Sequence, residues 1–276
     1  MSAVQMTRGG LDLAGTDTGA GFPVIFQHGL GGDEAQVAEV FPDTTGFRRL
    51  TLDCRGQGRS PLGEPRHLSI ATFADDVLAL ADHCGVQRFA VGGISMGAAI
   101  ALRIAVRAPD RVTALVLGRP AWTWAAAPPN MQVFAEVAGL LRHSGPQTAL
   151  AAFNASASAR ALAVDAPDNL ASLRRFFERP DPEATAELLA AIANDGPDIT
   201  QEDVHALKCP VLVIGNGLDA IHPLTMARTL AACIPGARFT EIAPKATDRL
   251  RHAAEFQAAV ADFLNDTTSV QGRQQR

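Results

Sequence analysis

The stretch that decides the fold reads Arg88-Phe-Ala-Val-Gly-Gly-Ile-Ser95-Met-Gly97. It predicts a short apolar strand, a tight turn that carries Ser95, and a helix that begins at Met96 and ends at about Arg107. The turn fits the pattern G-x-S-x-G. Its two glycines allow a strained backbone, because larger side chains would collide with the strand and the helix on either side. The pattern in this context predicts a nucleophilic serine raised above the edge of a sheet.

Further short apolar runs alternate with helical patterns on both sides of this turn. Strands are expected at 11–15, 22–27, 47–54, 88–92, 112–117, 210–214 and 238–242, and helices at 70–84 and 252–264. Such alternation predicts an α/β fold, in which a mostly parallel central sheet is flanked by helices on both faces.

Between 120 and 207 the pattern changes. Strand-like runs vanish, alanine becomes frequent, and prolines separate several helical pieces. The sequence thus predicts a helical insertion over 120–207 within a core formed by 1–119 and 208–265; the alternative is that this region continues the alternation of strands and helices. The polar segment 266–276 is predicted to be a disordered tail.

Composition narrows the class of protein. A chain of 276 residues with 19% charged residues and a formal net charge of −5 indicates a globular protein without a basic surface for nucleic acid or for a membrane. Residues 1–10 contain no apolar segment of a secretion signal, and no apolar run is long enough to span a bilayer. The four scattered cysteines favour reduced thiols in a cytoplasmic protein. Neither a metal-ligand spacing nor a phosphate loop is visible, so no cofactor is expected.

Active sites of open parallel sheets lie beyond the carboxyl ends of the strands. The strand predicted at 22–27 is followed by the glycine-rich loop His28-Gly-Leu30-Gly-Gly32, whose free N–H groups include that of Leu30. Together with the N–H of Met96, it is a candidate to stabilise an oxyanion beside Ser95. The strand predicted at 210–214 is followed by Asp219, a carboxylate placed to orient a histidine.

These motifs resemble those of the α/β-hydrolase family over nearly the whole chain. The motifs are 28–32, 93–97, 217–219 and the stretch Leu52-Asp-Cys-Arg-Gly-Gln-Gly-Arg-Ser60, which is similar to a structural turn of the family. The resemblance implies that Ser95 is the nucleophile, that Asp219 is the acid, and that Leu30 and Met96 form the oxyanion hole. It also implies that the insertion is a lid that shapes the acyl pocket.

The family's histidine normally follows the last strand by a few residues, but Ala246 and Thr247 stand there. Three side chains are candidates for the base instead. The first choice is His252 at the start of the last helix, and the less favoured candidates are His222, three residues after Asp219, and Lys245, if burial lowers its pKa. A fourth alternative is a site without such a base.

Three further residues are predicted to lie at the substrate: His28, Arg119 and Trp122. His28 is expected to organise its loop rather than to act as the base, because the chain order in such enzymes is serine, acid, histidine. Arg119 has two interpretations, a partner of a substrate carboxylate or phosphate, or an anchor of the lid.

The resulting hypothesis is a cofactor-independent serine hydrolase that cleaves a small ester, lactone or thioester through an acyl-enzyme on Ser95. The alternative is a protein of the same fold with a lyase-type or ligand-binding role, because the usual histidine position is not histidine.

Overall fold

Eight strands form one sheet in the computed structural model, which describes residues 2–42 and 46–274. The strands follow the order β1-β2-β4-β3-β5-β6-β7-β8 across the sheet. Strand β1 pairs antiparallel with β2 and β2 pairs antiparallel with β4, whereas all the other neighbouring strands pair in parallel. Their bounds are β1 Ser2–Arg8, β2 Leu11–Gly19, β3 Gly21–Gln27, β4 Gly46–Leu52, β5 Phe89–Ile94, β6 Val112–Gly118, β7 Val211–Asn216 and β8 Arg238–Ile242.

Helices cover both faces of this sheet. One face packs on α2 and α3, and the other packs on α1 and α11, so each face has its own cluster of buried apolar side chains. The helices of the core are α1 Glu34–Val40, α2 Ile70–His83, α3 Met96–Arg107, α10 Leu224–Cys233 and α11 Arg249–Gln274. Every residue of β5, β6 and β7 is buried, which explains the continuous apolar runs in these strands. The predicted fold class is confirmed.

The chain between β6 and β7 is helical. It contains α4 Gln132–His143, α5 Pro146–Asn154, α6 Ala157–Asp165, α7 Pro167–Arg174, α8 Pro182–Ala193 and α9 Gln201–His205. Short 3₁₀ turns occupy Pro129–Met131 and Arg175–Glu178, and a third, Pro65–His67, precedes α2. Proline at the first positions of α5, α7 and α8 starts these helices, since its fixed φ suits a helix start and its missing N–H would be unpaired there.

Two features differ from the sequence-based expectations. Strand β1 was not predicted; it pairs with β2 in a hairpin that turns at Gly9 and Gly10, both with positive φ. The predicted disordered tail is corrected for 266–274, where α11 continues to Gln274. Thr267 is buried and its hydroxyl donates to the carbonyl of Phe263, so the polar composition concealed a helix that still packs on the core. Residues 275 and 276 of that tail lie outside the described residues.

The packing of β3 on α3 generates a stability prediction. A Cβ at position 97 would lie 2.3 Å from the carbonyl oxygen of Gln27 and 2.7 Å from that of His28. We expect Gly97→Ala to destabilise the fold by about 1–3 kcal/mol, because the backbone must move to accommodate the methyl group. The shift of the urea denaturation midpoint measures this effect.

The matched control is Gly139→Ala, inside α4, where a Cβ would meet nothing within 4 Å. We expect the free energy of unfolding of Gly139→Ala to rise by about 0.5–1 kcal/mol, because alanine has a higher helix propensity than glycine. Equal effects of the two substitutions would show that the approach of β3 to α3 does not require glycine.

Candidate active site

Ser95 occupies a sharp turn between β5 and α3, with φ of 57° and ψ of −113°. Positive φ is strained for a residue with a side chain. The turn is held by the Ser95 N–H, which donates to Gly118 at 2.9 Å, and by the Ser95 carbonyl, which accepts from Ala98 at 3.0 Å. A Cβ at position 93 would lie 2.5 Å from the carbonyl carbon of Gly97, so both glycines of the motif are required by close backbone contacts. The structure therefore builds the predicted turn.

The loop after β3 lies directly beside this serine. A Cβ on Gly29 would be 3.3 Å from the Cβ of Ser95. The N–H of Gly29 donates to Gln36 and the N–H of Gly31 donates to Gln57, each at 2.7 Å. Between them, the N–H of Leu30 meets no acceptor within residues 2–42 and 46–274.

The N–H of Met96 belongs to the first residue of α3, so no carbonyl earlier in the helix faces it. Within the described part of the chain it has no other acceptor. The two backbone donors predicted for an oxyanion thus remain unpaired, on the two segments that border Ser95.

A cavity of about 90 Å³ lies above the serine. Ser95 is 8% exposed and lines this cavity. The other lining residues, polar and apolar, come from the sheet edge, from α1 and from the helical segment between β6 and β7: Gly29, Leu30, Gln36, Ile94, Arg119, Phe134, Asp168, Asn169, Ser172, Leu173, Phe176, Ile221, His222 and Lys245. A concave site in which apolar side chains meet convergent polar groups is typical of small-molecule binding.

One loop after β7 supplies both an acid and an imidazole. The Nδ1 of His222 lies 2.9 Å from Oδ1 of Asp219, and the backbone N–H of His222 donates to the same oxygen at 3.0 Å. Because Nδ1 meets the carboxylate, Nε2 is the nitrogen available to a ligand, and it has no partner within the described residues. His222 lines the cavity together with Ser95.

Arg119, which follows β6, binds the other side of this carboxylate. Its Nε and Nη2 donate to Oδ2 of Asp219 at 3.0 and 2.6 Å, and Nη2 lies 3.3 Å from Nδ1 of His222. The Arg119 side chain therefore pairs with a protein carboxylate, an arrangement that differs from both interpretations of the sequence. Arg119 also has a positive φ of 46°.

These contacts set the charges of the pair. Burial alone would raise the pKa of Asp219, but the neighbouring His222 and Arg119 outweigh it and hold this pKa well below its usual range. Burial lowers the pKa of His222; Asp219 acts in the opposite direction, and the charge of Arg119 lowers it further. The site therefore holds an ionised carboxylate beside a neutral imidazole at neutral pH.

The prediction that Asp219 orients His252 is corrected. The Nδ1 of His252 lies 2.8 Å from the carbonyl oxygen of Ala243, and its ring packs near Phe256. His252 is buried and does not line the serine's cavity, and the oxygens of Asp219 are taken by His222 and Arg119. The first turn of α11 directs this imidazole toward the end of β8.

Lys245, in the loop where the family resemblance places the histidine, does line the cavity. Its Nζ lies 3.8 Å from Oδ2 of Asp168. Burial lowers the pKa of Lys245, and the nearby charge of Arg119 acts in the same direction. Lys245 stays a candidate base. Its ion pair is with Asp168 of the helical segment and not with Asp219.

Two of the residues predicted at the substrate lie elsewhere. His28 is fully buried; its Nδ1 donates to the Gly29 carbonyl at 2.8 Å and its Nε2 accepts from the N–H of Cys54 at 3.0 Å. Burial also lowers the pKa of His28. Trp122 is 1% exposed, and its indole N–H donates to the Asp195 carbonyl at 2.9 Å. His28 fastens the loop after β3 to the end of β4, and Trp122 belongs to the core.

Sequence reasoning missed the residues that position the loop after β7. Buried Asn169 of α7 accepts from the N–H groups of Ala220 and Ile221 at 2.8 and 3.1 Å, and Asn130 donates to the Ile221 carbonyl at 2.7 Å. An asparagine among alanines and leucines in the helical segment was the available signal. These contacts attach the helical segment to the loop that carries the acid and the imidazole.

Over residues 2–42 and 46–274 no cluster of three or more histidine, cysteine or acidic side chains could hold a metal ion. No helix in this described part has the length and apolar character needed to cross a bilayer.

Comparison with known proteins gives consistent matches over most of the chain. The sequence model of the alpha/beta hydrolase fold matches residues 23–246. A protein of Caulobacter sp. (strain K31) named "Putative carbamate hydrolase RutD" is 29% identical, with 88% of this chain and 90% of that protein covered. The 2-hydroxymuconate semialdehyde hydrolase of Pseudomonas putida is 28% identical, with 92% and 91% covered.

Among solved structures, the enol-lactonase from Burkholderia xenovorans LB400 superimposes with a TM-score of 0.72 at 25% identity. The match covers 95% of this chain and 100% of the lactonase.

The Arg119 contacts predict the titration of His222. We expect Arg119→Met to raise the pKa of His222, because a cation 3.3 Å from Nδ1 is removed and Asp219 then interacts with the imidazole alone. NMR titration of the histidine ring signals measures this shift, with Arg103→Met as the control, since Arg103 pairs with Asp198 instead. An unchanged or lowered pKa of His222 in the Arg119 variant would contradict the electrostatic account of this pair.

Proposed function

The chain belongs to the α/β hydrolase fold family, and from this premise we propose that it is a serine hydrolase of small carbonyl substrates. The substrate class is an ester, lactone, thioester or carbamate with a short acyl group. One observation carries the proposal: the Asp219–His222 pair and Ser95 line or adjoin the same cavity, beside two unpaired backbone N–H groups. The names of the relatives, two hydrolases and a lactonase, support hydrolysis as the reaction.

In the proposed acylation step the hydroxyl oxygen of Ser95 attacks the substrate carbonyl, and Nε2 of His222 accepts the hydroxyl proton. The carbonyl oxygen becomes an oxyanion, which accepts hydrogen bonds from the N–H groups of Leu30 and Met96. When the tetrahedral intermediate collapses, the bond to the leaving group breaks and Nε2 returns the proton to that group. An acyl-enzyme on Ser95 remains.

In the proposed deacylation step water attacks the acyl carbon and gives its proton to His222, which then returns it to the oxygen of Ser95. The acid product leaves and the free serine is restored. A neutral imidazole is needed at the start of both steps, and the lowered pKa of His222 supports this role.

Asp219 has the role of orienting residue in this mechanism. Its carboxylate accepts from Nδ1 of His222 and so leaves Nε2 for the substrate side. The acid and the base lie three residues apart on one loop, which replaces the usual pairing with a histidine after the last strand. The cavity of about 90 Å³ supports a short acyl group rather than a long chain.

A fluorescent organophosphonate tests the serine and its base together. We expect the wild-type protein to be labelled and Ser95→Ala to be unlabelled, since the reagent bonds to an activated serine oxygen. His222→Ala should slow labelling by about a hundredfold or more, because a positioned general base contributes that much. The labelling rate is read from gel fluorescence over time, and circular dichroism checks the fold of each variant.

The matched control is His252→Ala, which removes a buried imidazole whose Nδ1 lies 2.8 Å from the Ala243 carbonyl oxygen. We expect its labelling rate to stay within about twofold of the wild type. If His252→Ala or Lys245→Met greatly slowed labelling while His222→Ala did not, the substituted residue would be the base instead of His222. A wild-type protein that is not labelled would overturn the acyl-enzyme proposal in favour of a lyase-type or ligand-binding role.

A further inference from the structure

A second cavity adjoins the one above Ser95. This adjoining groove has a volume of about 420 Å³ and shares five lining residues with the serine's cavity. The shared residues are Leu30, Gln36, Ser172, Phe176 and Lys245. A substrate whose acyl group fills the small cavity therefore has its remaining part directed into the groove.

The groove carries an excess of positive charge. Its basic lining residues are Arg175, Arg179, Lys245 and Arg249, and its acidic ones are Asp33 and Glu39. The two carboxylates already have partners: Glu39 pairs with Arg249 at 3.0 Å, and Asp33 accepts from the N–H of Ala35 at the start of α1.

Arg179 is the cation that these contacts leave uncompensated. Its Nη2 donates to the Gly56 carbonyl at 2.7 Å, and within residues 2–42 and 46–274 no carboxylate lies within ion-pair distance of it. Burial lowers the pKa of Arg179, and the charge of Asp33, which lines the same groove, offsets this only in part. A partly buried guanidinium without a carboxylate is unfavourable, and an anionic ligand would stabilise it.

Two neighbours strengthen the positive potential around Arg179. Arg175 is exposed, and its side chain has neither a hydrogen bond nor an ion pair within the described residues. Lys245 reaches its closest carboxylate, Asp168, only at 3.8 Å, and it stands where the two cavities meet.

We propose that the adjoining groove binds a carboxylate on the leaving-group side of the substrate, with Arg179 as its principal partner and Arg175 and Lys245 beside it. The planar guanidinium matches the two oxygens of a carboxylate, which favours this anion. The inference rests on the proposed function, because it divides the substrate at the carbonyl attacked by Ser95. It narrows the substrate class to short acyl derivatives of an alcohol, thiol or amine that carries a carboxylate.

Two chromogenic acetate esters test whether the groove binds a carboxylate on the leaving group. They are 4-nitrophenyl acetate and 3-carboxy-4-nitrophenyl acetate, which differ by one carboxylate on the leaving group. After correction for their rates of alkaline hydrolysis, we expect the wild-type kcat/KM to be about tenfold higher for the carboxylated ester. Arg179→Met should reduce this ratio by about tenfold, and Arg175→Met should reduce it by a smaller factor.

The control variant is Arg142→Met, since Arg142 is an exposed arginine at the end of α4 that lines neither cavity. Its ratio should equal that of the wild type. A wild-type protein that cleaves both esters with equal efficiency, or Arg175 and Arg179 variants that keep the full preference, would overturn the groove proposal while the serine hydrolase proposal stands.

If neither ester is cleaved, a binding measurement distinguishes the groove proposal from the serine hydrolase proposal. Calorimetry with the Ser95→Ala protein and the product 5-hydroxy-2-nitrobenzoate measures the groove without catalysis. We expect binding that weakens about tenfold when Arg179→Met is added. Binding that is absent, or that is unaffected by Arg179→Met, would overturn the groove proposal independently of any hydrolysis.

Discussion

The close approach of β3 to the first turn of α3 is the constraint on which the site depends. The carbonyl oxygen of Gln27 would lie 2.3 Å from a Cβ at position 97, so the approach exists only because that residue is glycine. It fixes Ser95 in a backbone conformation that costs roughly 1–3 kcal/mol, and the buried strands around it hold the turn in place. The same contact fixes the loop after β3 beside the serine, which gives the N–H groups of Leu30 and Met96 a constant position. The contact between β3 and α3 therefore contributes both to the stability of the fold and to the fixed arrangement of the site.

Burial of the Asp219 carboxylate imposes the second constraint. An ionised carboxylate in the interior requires a cation or several hydrogen bonds. Burial is the largest cause that lowers the pKa of His222, and it acts against the neighbouring carboxylate, which raises that pKa. Arg119 donates two hydrogen bonds to Oδ2 of Asp219, and its positive charge helps to keep the carboxylate ionised and lowers the pKa of His222 further. In the proposed reaction, Asp219 can therefore orient His222 while the imidazole stays neutral and able to accept a proton.

The sequence was sufficient for the parallel part of the sheet, because buried parallel strands leave continuous apolar runs, and for the turn at Ser95, because its glycines are required by close backbone contacts. It was insufficient to identify the histidine that pairs with Asp219. His222 and His252 differ in the partner of Nδ1, which is the carboxylate of Asp219 for one and the carbonyl of Ala243 for the other. His28 shows the same limit, since its two ring nitrogens are satisfied by the backbone of Gly29 and Cys54. Periodicity reports which face is buried, and it carries no information on such pairings.

The helical segment between β6 and β7 connects these constraints to the substrate. Phe176 packs on Gly31, where a Cβ would lie 2.5 Å from the ring, and Asn169 holds the loop after β7. The segment therefore contacts both loops that border Ser95 and shapes the small cavity and the groove together. Lys245 completes this arrangement from the loop after β8. In the proposed mechanism the base comes from the loop after β7, which frees the loop after β8 to place a cation at the junction of the two cavities, where a charged substrate would pass.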